Sequence, residues 1–175
     1  IALQTYIKYL NSLSLRQRDV IPALAAAGMH KEFLAYENLD KKCSVFRTRL
    51  PDDTSLHRFY RRVDFIEQMD EFQNKILHLD DTLIDTESNL WYIVLQKNLY
   101  KLGLSITVFE EHSSDIDALV NRRNSIAHGN SRAGVTEAEF SKWENKVYRM
   151  LSDITRLLYD YANHQRYLKT PPTEQ

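Results

Sequence analysis

The sequence predicts an all-α protein, a helical bundle, and three observations lead to this fold class. The 175 residues include only 4 glycines and 4 prolines, the residues that most often interrupt helices. Apolar residues recur at three- and four-residue steps along most of the chain, which is the period of an amphipathic helix. No alternation of apolar and polar residues is long enough to indicate a sheet. These patterns predict a bundle of about five to six helices that follows an N-terminal helical extension.

The N-terminal extension is expected to hold two helices. A second helix begins at Pro22, because the first turn of a helix does not use the N–H group that proline lacks. The apolar stripe of the first helix is Leu3, Tyr6, Ile7, Leu10 and Leu13, and that of the second is Leu24, Phe33 and Leu34, with Leu39 and Cys43 as further members.

Two helices are predicted in the middle of the chain. A turn at residues 51–54 ends in an N-cap and opens a long helix. Ser88 or Thr86 is expected to cap the next helix, which ends at Gly103, where a left-handed residue is wanted. One face of the long helix is assigned Leu56, Phe59, Tyr60, Val63, Ile66, Met69, Ile76 and Leu79.

The two last helices have clear start and stop signals. Ser113 or Ser114 opens the penultimate helix, which ends near His128, because Gly129 and the residues after it favour a turn. The pattern Thr-Glu-Ala-Glu at residues 136–139 is a capping box, and it opens a long final helix.

Length and composition predict how the chain is organised and where it works. We divide it into an N-terminal helical extension at residues 1–50, a helical bundle at 51–168 and a flexible tail at 169–175. No apolar run approaches the ~20 residues of a membrane span, and the N-terminus has no signal-peptide pattern. The single cysteine, Cys43, excludes an intrachain disulfide, so a cytoplasmic location is expected.

Charge is unevenly distributed although the net charge is only −1. Residues 41–62 are rich in lysine and arginine, whereas residues 64–87 contain eight carboxylates. One interpretation is a local basic face for phosphates. The other is an alternation of solvated faces on long helices.

The helix that ends near His128 contains one anomaly. At about 100° per residue, its apolar residues fall within one arc of roughly 120°, and Arg123 lies near the middle of that arc. An arginine is costly to bury unless it is paired. Arg123 is therefore expected either to pair with an internal carboxylate or to face a cleft shared with a partner. The apolar residues of the arc are Ile116, Leu119, Val120, Ile126 and Ala127.

Two polar residues accompany Arg123. Asn124 and His128 are four residues apart and share a helix face. An imidazole can exchange a proton near neutral pH, and a guanidinium can hold two phosphate oxygens. These groups suit attack by a ribose 2′-OH on its own phosphate. That reaction needs both a base and an acid, and a two-fold dimer would supply the second histidine.

These residues resemble a known family. Residues 123–129 (Arg-Asn-Ser-Ile-Ala-His-Gly) are similar to the Arg-polar-x-x-x-His signature of the HEPN (higher eukaryotes and prokaryotes nucleotide-binding) superfamily. Residues 85–90 (Asp-Thr-Glu-Ser-Asn-Leu), the helix end at 102–104 and the helix start at 135–140 resemble its prokaryotic toxin–antitoxin and phage-defence branch. The resemblance covers about residues 55 to 165.

The resemblance implies an α-helical bundle that dimerises so that two motifs face one cleft. It also implies a metal-independent endoribonuclease in which Arg123 and His128 are catalytic and Asn124 orients the site. Arg122 is our own candidate for contact with the RNA backbone. The expected partners are RNA, a second copy of the chain, and an antitoxin or other defence-system protein; no membrane partner is expected.

No cofactor or metal is expected. The remaining histidines have no spacing typical of metal ligands, and there is no glycine-rich phosphate loop. They are His30, His57, His78, His112 and His164.

Two other functions fit the same sequence. The chain can be a non-catalytic HEPN module that binds RNA, a nucleotide or a partner protein within a larger defence complex. It can also be a structural helical dimer in which Arg123 pairs with a buried carboxylate.

Overall fold

The fold is all-α, as the sequence predicts. A computed structural model describes residues 1–46, 53–129 and 134–171. Helices and short 3₁₀ turns account for the regular structure of these residues, which contain no β-strand. The α-helices within the described ranges are α1 (Ala2–Ser12), α2 (Pro22–Gly28), α3 (His30–Glu37), α4 (Thr54–Glu67), α5 (Met69–Asn74), α6 (Tyr92–Lys101), α7 (Ser113–Ala127) and α8 (Glu137–Asn163).

One hydrophobic core forms where α1, α2 and α6 meet. Helix α1 contributes its predicted stripe, and α6 contributes the fully buried Leu99. The C-terminal half of α8 covers this core with partly buried side chains. The core residues are Leu3, Tyr6, Ile7, Leu10, Val20, Leu24, Leu77, Leu79, Leu95, Leu99, Leu102, Leu104, Phe109, Ile116 and Tyr167.

The core joins residues from both predicted segments of the chain. Ile7 and Leu24, which belong to the predicted N-terminal extension, pack in the same cluster as Leu99. The chain around residue 50 lies outside the described residues. The division into an extension at 1–50, a bundle at 51–168 and a tail at 169–175 therefore stays a prediction.

The predicted long helix after residue 54 was wrong in its length. Asp53 caps its start by accepting a hydrogen bond from the Leu56 N–H at 3.0 Å, but the helix breaks at Gln68 and α5 ends at Asn74. The following chain is extended, and it buries Leu77 and Leu79 in the core. The apolar stripe that was predicted for one long helix is thus divided between α4, α5 and the extended segment that follows them.

Two further element predictions also needed correction. The predicted second helix divides at Met29 into α2 and α3 and ends at Glu37, before Leu39 and Cys43. Helix α6 is capped neither by Ser88 nor by Thr86. Its first N–H group, on Tyr92, donates instead to the carboxylate of Asp117 on α7, at 2.9 Å.

The predicted signals at the later helix ends were confirmed. Gly103 is left-handed with a φ of 67°. Thr136 and Glu139 form the reciprocal hydrogen bonds of a capping box at the start of α8. Helix α7 ends at Ala127, so His128 is the first residue beyond it.

None of the described helices is both long enough and apolar enough to cross a membrane.

Candidate functional site

The first half of α7 is tied firmly to the rest of the molecule. Ile116 is 8% exposed and belongs to the core. Asp115 pairs with Lys146 of α8, and Asp117 accepts the N–H of Tyr92. These contacts fix the direction in which the second half of the helix projects.

The second half of α7 leaves the core. Ile126 is 46% exposed, and Ala127 and His128 are also exposed. Arg123, near the middle of the predicted apolar arc, belongs to this second half, and its side chain is exposed. The side chain thus avoids the desolvation cost that a fully buried guanidinium would pay.

Arg123 is held by two neutral amide groups. Its Nη1 donates to the Oδ1 atom of Asn89 at 2.7 Å and to the Oδ1 atom of Asn124 at 3.1 Å. Among the described residues it has no carboxylate partner within salt-bridge distance. Of the two predicted environments, an internal ion pair or a cleft shared with a partner, this geometry argues against the ion pair within the described residues. The shared cleft stays a prediction.

His128 lies directly at the end of α7. Its backbone N–H donates to the Asn124 carbonyl at 2.9 Å, and its imidazole is exposed. Within the described part of the chain, no hydrogen bond joins this ring to Arg123. Five residues along a regular helix correspond to a rotation of roughly 140°. One chain therefore presents the two groups at the same helix end without closing them into a contacting pair.

A groove of about 540 Å³ separates the end of α7 from the first half of α8. Arg122 and Arg123 lie on its α7 side, and apolar residues form most of the remaining wall. Phe140, Tyr148 and Leu151 are each more than half exposed. The lining residues are Leu119, Arg122, Arg123, Ile126, Val135, Phe140, Trp143, Glu144, Val147, Tyr148 and Leu151.

Arg122 lines the groove beside the motif. Its Nη2 donates to the Gly134 carbonyl at 3.3 Å, across the connection between α7 and α8. The residue is half-buried, and its guanidinium bonds to the backbone shortly before α8. Contact between Arg122 and RNA stays a prediction.

The basic stretch at residues 41–62 is partly used inside the fold. Lys41 pairs with Asp64 at 2.5 Å, and the buried Arg61 donates to the Lys41 carbonyl at 3.2 Å. Arg58 and Arg62 are exposed on α4. Since part of its charge stabilises the fold, the described portion of this stretch is weaker support for a phosphate-binding face than its composition indicates.

A cluster that can hold a metal ion lies at the other end of α7. Ligand atoms of Glu111, His112 and Asp153 all fall within 4.8 Å of one another. The His112 Nε2 atom is 3.0 Å from the Asp153 carboxylate, so a His–Asp hydrogen bond already accounts for the closest contact. Helix α7 separates His112 of this cluster from His128 by about 24 Å, at 1.5 Å per residue.

A second cavity lies away from the motif. It measures about 800 Å³ and lies between α2 and α6, with His30, Asp80 and Lys101 among its lining residues. Hydrogen bonds from Thr82 hold the pKa of Asp80 below its ordinary value. Because none of the motif residues lines this cavity, we place the candidate site at the smaller groove.

The contact between Asn89 and Arg123 was not predicted from the sequence. Asn89 stands in the segment at 85–90 that resembles the prokaryotic HEPN branch, but no function was assigned to it. No local pattern links it to Arg123, which lies 34 positions further along the chain.

An all-α bundle with an Arg-polar-x-x-x-His motif at the end of its penultimate helix defines a HEPN-type protein. The family model of the RiboL-PSP-HEPN domain matches residues 1–160, and the chain belongs to this family. HEPN membership associates the chain with RNA-related, nuclease-type modules. The match includes residues 1–50, which lie outside the resemblance to the HEPN motifs at about residues 55 to 165. No curated protein and no solved structure matches the chain significantly.

Proposed function

We propose that this protein is a metal-independent endoribonuclease with Arg123, Asn124 and His128 in its active site. The observation that carries the proposal is the exposure of Arg123 and the choice of its hydrogen-bond partners. Its guanidinium is exposed at the same helix end as His128, and it is held by amides rather than neutralised by a carboxylate. A guanidinium that keeps its positive charge can bind a phosphodiester and offset the negative charge that develops in the transition state.

The proposed reaction is an internal transesterification. A neutral imidazole removes the proton of the ribose 2′-OH while the 2′ oxygen attacks the adjacent phosphorus atom. The bond from phosphorus to the 5′ oxygen breaks, and a protonated imidazole donates a proton to that leaving oxygen. The products are a 2′,3′-cyclic phosphate and a free 5′-OH. Arg123 holds the non-bridging phosphate oxygens.

The acid and the base would come from two copies of the chain. Each chain contributes one His128, whereas the reaction uses two proton-transfer groups. We propose that a second copy covers the groove between α7 and α8 and brings the two motifs into one cleft. The exposed apolar residues Ile126, Phe140 and Leu151 form a surface of the kind that dimers bury.

We further propose that the enzyme acts in the cytoplasm as a toxin or phage-defence effector and that an antitoxin or other defence protein controls it. This part of the proposal rests on the resemblance of residues 85–90 and 135–140 to the prokaryotic branch. Arg122, which lines the groove, would add a contact to the RNA backbone.

The purified chain incubated with RNA in EDTA should yield fragments that end in a cyclic phosphate. His128→Ala should lower the rate by about 10²- to 10⁴-fold, the usual contribution of a general acid or base. His78→Ala, at an exposed histidine outside the motif, is the matched control and should retain the wild-type rate. Equal cleavage by His128→Ala and the wild type would refute the assignment.

The alternative is a non-catalytic HEPN module that binds RNA or a partner protein. The half-exposed apolar groove favours it as a second candidate, because such a surface serves binding without chemistry. A wild-type protein with no ribonuclease activity, whose Arg123→Ala/His128→Ala variant still binds its partner, would support this function.

A further inference from the structure

The loop before α6 reaches across to the candidate site. Residue Asn89 of this loop accepts a hydrogen bond from Arg123 at 2.7 Å, the shorter of the two bonds that this guanidinium makes. We propose that Asn89 is a positioning residue for the ribonuclease site: it turns the guanidinium so that its Nε/Nη2 edge is left for the phosphate of the RNA. The inference rests on the proposed function.

The donor groups of Arg123 support this orientation. A guanidinium has five N–H groups in a fixed plane. Nη1 has two of them, and they go to Asn89 and Asn124. Within the described residues, Nε and Nη2 have no acceptor. Their parallel N–H groups form the fork that binds two oxygens of one phosphate.

The amide at position 89 is chemically suited to this role. A carboxylate in the same place would hold the guanidinium but would also offset its charge before RNA arrives. An amide oxygen accepts the hydrogen bond and leaves the full positive charge available to a phosphodiester. Asn124 is also an amide, so both groups that orient Arg123 are neutral.

The loop that carries Asn89 is anchored in the core. Asn98 of α6 is 2% exposed. Its side chain donates to the Asp85 carbonyl at 2.6 Å and accepts the Asp85 N–H at 3.2 Å. Lys97 pairs with Glu87 at 2.9 Å. Buried amides that make two such bonds are costly to disturb. The contacts from α6 therefore fix the loop, and with it the position of Asn89.

The loop also has a demanding backbone. Glu87 and Ser88 adopt positive φ values of 47° and 69°, which are uncommon for residues other than glycine. These two residues directly precede Asn89, so the left-handed turn sets the direction in which its side chain is presented. The anchors at Asp85 and Glu87 hold the chain in this conformation.

Kinetics of RNA cleavage by the full chain test the proposal. Asn89→Leu keeps the approximate shape and removes the acceptor; it should lower kcat by up to about 100-fold, the cost of a misplaced catalytic group. Asn89→Asp restores an acceptor oxygen and should recover part of that loss. Thr86→Ala, an exposed position in the same loop, should leave kcat unchanged.

A double-mutant cycle separates positioning from a general loss of structure. Once Arg123 is replaced by Ala, adding Asn89→Leu should have no further effect on kcat, since Asn89 acts through Arg123. Additive losses in the double variant would overturn the proposal, as would an Asn89→Leu variant with the wild-type kcat.

Nuclear magnetic resonance of the arginine side chains provides a readout without activity. Hydrogen bonds at Nη1 should slow rotation of that group in the wild type, and Asn89→Leu should restore fast rotation at Arg123. If the wild type cleaves no RNA but this change occurs, the proposed function fails while the positioning contact stands. An unchanged Arg123 signal would overturn the positioning role.

Discussion

The two halves of α7 are parts of one continuous helix, yet they have opposite surroundings. At the start, Ile116 is buried, and Asp115 and Asp117 are bonded to α8 and α6. At the end, Ile126 is exposed and Arg123 contacts polar amides. The first half stabilises the fold, and the second half presents the motif.

This difference between the two halves explains how the fold tolerates an exposed guanidinium and an exposed apolar surface at the end of α7. An exposed guanidinium and an apolar surface at one helix end contribute little to the stability of the isolated chain. Tight packing 10 residues earlier in the same helix supplies the rigidity that positioning requires. Substitutions in the two halves should therefore separate stability from activity.

The largest effect is expected from the matched pair Ile116→Ala and Ile126→Ala. The first should lower the free energy of unfolding by about 2–4 kcal/mol, because it leaves a cavity in the core. The second should lower it by less than about 1 kcal/mol in dilute solution and should weaken self-association. Urea denaturation and sedimentation measure the two effects. Equal destabilisation by both variants would contradict the division of α7.

A smaller effect is expected from Asp117→Ala. This change removes the acceptor that satisfies the first N–H of α6, and losing a cap of this kind costs about 1 kcal/mol. Asn121→Ala, at an exposed position of α7, should stay within about 0.5 kcal/mol of the wild type. Thermal denaturation of both variants provides the comparison. If Asp117→Ala has the same melting temperature as the wild type, the hydrogen bond between α6 and α7 is not a stabilising cap.

The smallest effect concerns the pH dependence of the capping box that starts α8. The backbone N–H of Thr136, followed by its hydroxyl, holds the pKa of Glu139 below its ordinary value of 4.5. The ionised form is thus favoured in the fold, so its stabilisation is present above that value and is lost as the pH falls through the lower, folded pKa.

Glu139→Gln tests this dependence. The variant should melt below the wild type at pH 7, and the difference should shrink toward pH 3, as measured by circular dichroism. Glu144→Gln, at another exposed carboxylate of α8, is the control. A difference from the wild type that stays constant between the two pH values would argue against the capping interaction.

Local signals predicted much of the fold. The capping box at Thr136, the left-handed Gly103 and the end of α7 before His128 all depend on residues close in sequence, and each was confirmed. The predicted long helix failed because Ile76 and Leu79 continue the helical spacing of the earlier residues, whereas the chain there is extended and buries Leu77 and Leu79 in the core. Tertiary burial decided that conformation.

The candidate site was predictable only in part. Arg123 stood out because it interrupts an apolar arc, but that anomaly left an internal ion pair and a shared cleft as alternatives. Its partner Asn89 was not predictable, since the contact spans 34 positions and depends on how the loop before α6 is folded. The cap of α6 by Asp117 was missed for the same reason.

The chain turns away from His128 through Gly129, whose φ is +69°. No other part of the described structure lies within 4 Å of the place where a side chain at 129 would begin, so among the described residues the restriction on this position is backbone handedness. A D-alanine introduced by chemical ligation should fit there without strain, whereas L-alanine should cost about 1–2 kcal/mol. The mirror-image residue would thus restrict the backbone at position 129, directly after His128, and this single stereocentre should make the last turn of α7 more rigid than it is in the natural chain.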